Sequence, residues 1–295
     1  MPHTEGCGCS SSDDKDGIFQ NVMLGHLLHP AVRRAVLLEH GCEKTHNDWF
    51  RHRIREFGRN PEDFGWASIQ LDGGIESVRE RARQQLFGGR EQQAPPERMP
   101  AGLRQLRVGL LADHRPCRAL GLALGSVAGE VVRGGGLIVC PQHNEVLSSA
   151  ELLDEILEAG SRALRPTAKF AAPLSGTPGL HIMQCPRRLS FVEQVTGLAA
   201  TSVDVILAAV DHPSTGSPLV PVIQVKSSEM PPDPSDRVTA KSSADVHYFS
   251  GEAPAIITER LWVELLDVVS GRKRPKLFGL IGEGAVDFIV PRGLA

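Results

Sequence analysis

Short, nearly continuous apolar runs alternate along this chain with amphipathic stretches, and that alternation restricts the fold more than any other feature. In the first third, Arg34–Glu39 and Gly65–Leu71 are strand-like runs, the first closed by His40 and Gly41. Around them, Ile18–Leu28, Thr45–Phe57 and Ile75–Leu86 carry apolar residues at helical spacing. Pro30 ends the first of these helices, and Thr45 and Gly58 are the expected N-cap and stop of the second. Strands are expected downstream at Leu106–Leu111, Leu137–Cys140, Leu180–Met183, Val203–Ala209, Val220–Val225 and Ala285–Val290. Helices are expected between or after them at Leu120–Val132, Ala150–Ala159, Phe191–Leu198 and Ala255–Val269, and Pro231–Ser243 reads as a mobile loop. Runs that do not alternate with polar residues bury both faces, as parallel strands do. The expected fold class is α/β, with two Rossmann-like lobes whose mainly parallel sheets are flanked by helices.

The composition breaks at Phe87–Pro100, a polar stretch rich in glycine and proline. This divides the chain into a first lobe at 1–87, a linker at 88–103 and a second lobe at 104–295. With 32 Lys+Arg against 35 Asp+Glu, the net charge of −3 supplies no general attraction for nucleic acid, which is not an expected partner. No apolar run reaches the roughly 18 residues of a membrane span. The opening residues also lack the basic and apolar regions of a secretory signal, so a cytoplasmic location is expected. There the six cysteines read as reduced thiols, core fillers or metal ligands, and no CxxC pair suggests a zinc ribbon.

Three stretches concentrate side chains capable of chemistry where an open parallel sheet would place a site, at strand ends and helix starts. The first is His3-Thr4-Glu5-Gly6-Cys7-Gly8-Cys9, whose imidazole, carboxylate and thiolates suit a borderline metal. An unstructured N-terminus fits its spacing equally well. The second and densest, His40-Gly41-Cys42-Glu43-Lys44-Thr45-His46-Asn47-Asp48, lies in the turn between an expected strand and helix. An ordinary capped turn with Cys42 buried is its plain structural alternative. The third, Ser214–Pro221, could cradle a carboxylate or phosphate through backbone N–H groups, although a simple loop explains it better.

The ordered set His3-Thr-Glu-Gly-Cys-Gly8, His29-Pro30 and His40-Gly-Cys-Glu43 resembles the altronate and galactarate dehydratase family of sugar-acid hydro-lyases. Pro178-Gly-Leu-His181, Val195-Thr-Gly-Leu-Ala199, Val205-Ile-Leu207 and Gly216-Ser-Pro-Leu-Val-Pro221 resemble the same family's C-terminal region. The resemblance implies a metal-dependent dehydratase, usually ferrous, that converts a hydroxy sugar acid into a 2-keto-3-deoxy acid. Carried over by motif, His3, Cys7 and Cys42 would hold Fe2+ or another divalent metal. Glu43, His46 and Lys44 would serve as catalytic groups, and Thr4, Asn47, Thr215, Gly216 and Ser217 would contact the substrate.

A homo-oligomer is the expected assembly, with a sugar acid as the small-molecule partner. Because the family's small N-terminal domain has no counterpart ahead of Met1, a separate N-terminal domain or subunit is a further expected partner. Ala112-Asp113-His114-Arg115-Pro116-Cys117 stands where family enzymes carry a Gly-Gly-Ser-Asp-rich loop. That difference motivates the alternative of a non-catalytic paralogue or partner subunit that binds a sugar acid, and the resemblance itself implies a further alternative, a related lyase acting on a hydroxy sulfonate. Elsewhere plainer roles are expected. Trp49 and Trp66 read as core or interface aromatics, His181 as a hydrogen-bonded core histidine, and Arg272–Lys276 as a solvated basic surface.

Overall fold

The computed structural model describes residues 17–43, 45–88, 99–159, 164–165, 168–174, 176–185, 188–212, 216–228 and 244–278. The first part contains α1 (Ile18–Leu27), β1 (Val36–Glu39), α2 (Asn47–Glu56), β2 (Gly65–Ser68) and α3 (Ile75–Phe87). Its two strands pair in parallel, Val36 with Gly65 through Glu39 with Ser68. β2 stops at Ser68 rather than reaching Leu71, because the Asp72 carboxylate accepts the Ser68 N–H (2.8 Å) and the Asp72 N–H returns to the Ser68 carbonyl (2.9 Å). That turn leaves Leu71 in solvent.

The second part runs β3 (Arg107–Ala112), α4 (Arg118–Arg133), β4 (Leu137–Pro141), α5 (Ala150–Glu158), β5 (Gly179–Met183) and α6 (Phe191–Ala200). It continues through β6 (Val205–Ala209), β7 (Val222–Ser228), β8 (Val246–Phe249) and α7 (Pro254–Val269). Its six strands lie in the order β5-β4-β3-β6-β7-β8, all parallel. The fold class is α/β, as the alternation implied. β8 has no counterpart among the expected strands. It is a four-residue edge strand with Val246 and Tyr248 buried and His247 and Phe249 half-exposed, too short to stand out as an apolar run. The expected strand Ala285–Val290 and the loop Pro231–Ser243 lie outside the described residues. No helix among those described is long and apolar enough to cross a membrane.

The strands bury both faces. Val108, Leu110 and Ala112 of β3, with Val205, Leu207 and Ala209 of β6, face a layer formed by α4, α5 and α7. Leu111, Ile206 and Ala208 face the opposite way, into a cluster that also holds Phe19, Val22 and Leu24 of α1, Leu37 of β1, Phe50 and Ile54 of α2, and Trp66 of β2. The two sheets are separate, but this core runs through both parts of the chain. α1 lies directly against α6: a Cβ at Gly25 would come within 2.3 Å of the Ala200 carbonyl oxygen, so only glycine allows the approach. His29, buried at the end of α1, donates from Nε2 to the Val203 carbonyl (3.0 Å), while its Nδ1 accepts the Ala31 N–H (3.0 Å). That pairing fixes the neutral tautomer and ties α1 to the entrance of β6.

Trp66 is buried and donates to the Pro61 carbonyl, and Trp49 packs edge-on to Phe50 against the same core. His181 is buried with Nε2 2.8 Å from the Thr177 carbonyl, a core histidine as expected.

Candidate functional site

β3, β4 and β5 build outward in one direction and β6, β7 and β8 in the other, so the chain reverses its order of travel between β3 and β6. At such a switch point the loops leaving adjacent strands diverge, opening a crevice at their carboxyl ends. Asp113 leaves β3 there and Asp211 leaves β6. The Asp113 N–H donates to the Ala209 carbonyl (3.1 Å), and its carboxylate accepts the Asp211 N–H (3.0 and 3.2 Å). His114 Nδ1 lies 2.5 Å from Asp113 Oδ1 and 3.4 Å from Asp211 Oδ1. A carboxylate only accepts, so Nδ1 carries the proton in this arrangement.

The three ligand atoms all lie within 4.8 Å of one another, the one such group of metal-capable side chains among the described residues. Two carboxylate oxygens and one imidazole nitrogen are donors of the kind that hold a divalent cation. A cation would displace the shared proton.

Two further features adjoin this edge. Cys117, the N-cap of α4, is exposed, with Sγ 4.0 Å from the Tyr248 hydroxyl. Burial, and after it Cys117, push the Tyr248 phenol up to about 12, against the lowering effect of its hydrogen bond with Ser227. On the β4 side a cleft of about 170 Å³ opens beside Asp113, between the Gln142–Glu145 connection, Arg188 and the start of α6. Asn144 makes its floor rigid. Its amide oxygen accepts the N–H groups of Ala112 (2.9 Å) and Val146 (3.0 Å), and its amide nitrogen donates to the Ala112 carbonyl (3.0 Å) and Gln194 Oε1 (2.7 Å).

The sequence-dense turn after β1 is arranged differently. Glu43 accepts the N–H groups of His40 (2.5 Å) and Gly41 (2.8 Å). Partial burial works to raise its pKa, but those backbone donors outweigh it and hold the carboxyl below the usual range. Cys42 is exposed rather than buried, with Sγ 3.3 Å from His40 Nδ1. The N-cap of α2 is His46, not Thr45. Glu39, reaching back from β1, accepts the Asn47 N–H (2.6 Å) and takes over the capping work. Asn47 is buried and donates its amide to the Ala67 carbonyl (3.1 Å).

In the third stretch Ser217 is buried, and its hydroxyl accepts the N–H groups of Leu219 and Val220 (both 3.2 Å), closing its own turn. Gly216 lies under the Leu277 backbone. His3, Thr4, Cys7, Lys44 and Thr215 lie outside the described residues.

Asp113, His114 and Asp211 did not stand out as a site in the sequence, yet a signal is there. Two long apolar runs end alike, in Ala112-Asp113-His114 and Val210-Asp211-His212, with Pro116 and Pro213 close behind. Two strands that end in the same acid-imidazole pair become a site only if they are neighbours, and the alternation pattern does not supply strand order. No protein-family model matches this chain, and no curated protein matches it significantly.

Proposed function

We propose that the chain is a divalent-metal-dependent hydro-lyase that removes water from a hydroxy sugar acid such as altronate or galactarate, giving a 2-keto-3-deoxy acid. The observation that carries this reading is the Asp113–His114–Asp211 group at the switch point of a parallel sheet. Motif resemblance supplies the reaction class, and the carboxylate–imidazole donor set agrees with its metal requirement.

The chemistry calls for such a group. A proton next to a carboxylate is too weakly acidic to leave unaided, and hydroxide is a poor leaving group. When bound, the cation would supply Lewis-acid stabilisation for the charge that develops on both. The residues of the chain do the rest. Asp113 and Asp211, fixed to each other through the Asp211 N–H, hold the ligand atoms in place, and Asn144 keeps the adjoining strand end from shifting. By the resemblance Glu43, His46 and Lys44 would transfer the proton and Cys42 would hold metal, but Cys42 is not part of the metal-capable group and Glu43 is bound to the backbone of its own turn, so that turn carries no step of the proposed reaction.

The test is turnover by anaerobically purified protein supplied with Fe2+ or Mn2+, using altronate, galactarate and a hydroxy sulfonate, with products identified by NMR. A 2-keto-3-deoxy acid is expected. Metal-loaded protein that converts none of the three overturns the proposal, and sulfite in place of water moves it to the hydroxy sulfonates.

A further inference from the structure

Helix α7 carries more apolar surface than its own chain covers. Ile257, Leu261 and Leu265 are fully buried in the layer that α7 shares with α4, as the inward stripe of an amphipathic helix should be. A second stripe, Ile256, Glu259, Arg260 and Val263, has the spacing i, i+3, i+4, i+7 that keeps four residues on one side of a helix. Its apolar members, Ile256 and Val263, are 49% and 55% exposed. All four line one side of a groove of about 560 Å³, whose other side is formed by β8 and the Asp245 before it. β8 is the outermost strand of its sheet, so the groove runs along an open edge.

The chemistry of this stripe is self-complementary. It reads apolar, acidic, basic, apolar, and reversing its direction sets apolar against apolar and acid against base. Consider two copies packed with α7 antiparallel, about a two-fold axis midway between Glu259 and Arg260. Ile256 then meets the partner's Val263 at both ends, and the centre gathers two carboxylates and two guanidinium groups with no net charge. The side chains are free to do this. Glu259 is exposed and has no ion pair among the described residues. Arg260 donates to the His247 carbonyl (2.5 Å) and pairs with Glu252, yet its side chain is 39% exposed and its planar fork has further N–H groups for a second carboxylate. Because Arg260 reaches toward β8, it marks the sheet side of the stripe, and the same axis turns the open edges of the two β8 strands toward each other.

We infer that this face of α7, with the edge of β8, is the contact between two copies of the chain in a two-fold symmetric dimer. A partner of a single charge would meet the wrong sign at Glu259 or at Arg260, whereas a second copy offers the complement of both.

The experiment is sedimentation equilibrium of the full chain across a wide concentration range, for the parent, Glu259→Arg, Arg260→Glu, Val263→Asp and an equimolar mixture of the first two variants, with circular dichroism as the check on folding. The parent is expected to be a dimer. E259R places only cations at the centre and R260E only carboxylates, so each should weaken the dimer by about a hundredfold. Mixed, they should pair one to one, because every charge of one then faces its opposite on the other. V263D should dissociate the dimer without any partner that rescues it. A parent that stays monomeric, its face covered by another segment of the chain or by a different protein, overturns the inference. So does a dimer that E259R and V263D leave unchanged, or a folded pair of charge variants that fails to associate when mixed. R260E gives up its bonds to His247 and Glu252; if it fails to fold, E259R and V263D, both at exposed positions, decide by themselves.

Discussion

The turn after β1 and the pair of turns after β3 and β6 both sit at the carboxyl ends of parallel strands, and both are crowded with acids and imidazoles. They differ in where those groups spend their hydrogen bonds. In the first, Glu43 binds the backbone of its own turn, Glu39 caps α2 and Asn47 reaches across to β2. That constellation is largely closed on itself. In the second, two carboxylates and an imidazole converge from neighbouring strands, with one short proton-mediated contact and room beside them. Polar density in a sequence therefore measures demand for hydrogen bonds as much as chemistry, and convergence from separate strands separates the two.

The sharpest way to break this contrast is to remove one carboxylate from each turn. Asp113→Asn or Asp211→Asn should leave the fold intact yet lower metal-dependent turnover by roughly a thousandfold, the several kcal/mol that a bound cation supplies. Metal titration followed by calorimetry or Mn2+ EPR checks the binding half. Retained metal binding in both variants would erase the distinction drawn here.

Acid should act next most strongly, and on the α1 side. Burial lowers the pKa of His26 to about 4, and burial also lowers that of His29. Both are bases whose native pKa lies below the ordinary 6.5, so the unfolded chain binds the extra protons. Stability is whole above pH 6.5 and is lost as the pH falls from there toward about 4, with His26 alone accounting for on the order of 3 kcal/mol. Denaturant melts across that interval should show the loss, and hydrogen exchange should show α1 opening before α4. Simultaneous opening of both would contradict the assignment.

The smallest effect belongs to Glu43→Gln. Both carboxylate oxygens accept a backbone N–H, and the amide keeps one acceptor while turning an N–H toward the other donor, so the expected cost is about 1–2 kcal/mol in a chemical melt, with no change in metal affinity. A large loss of metal affinity in E43Q would return the first turn to the centre of the chemistry.

Much of the architecture was legible because it follows from local pattern. β3 and β6 are uninterrupted apolar runs, and α4 and α7 extend only a few residues beyond their expected limits. β8 was not legible, since four residues at a sheet edge carry little pattern. Thr45 looked like the cap of α2 because a hydroxyl residue preceded it in sequence, whereas the acceptor in fact came from Glu39, eight residues away. The site was missed for a larger-scale reason. Asp113 and Asp211 are separated by 98 residues, and only the order of strands in the sheet makes them neighbours.

The shared core has a consequence for how this polypeptide could be divided. Ile18, Phe19, Leu37 and Trp66 are buried in the same cluster as Leu111, Val195 and Ile206, with Gly25 seated on Ala200. Cutting the chain between Gly88 and Met99 should therefore yield two pieces that copurify and melt as one unit, and either piece made alone would expose a broad oily face. The covalent connection between the two sheets is dispensable in a way that their contact is not.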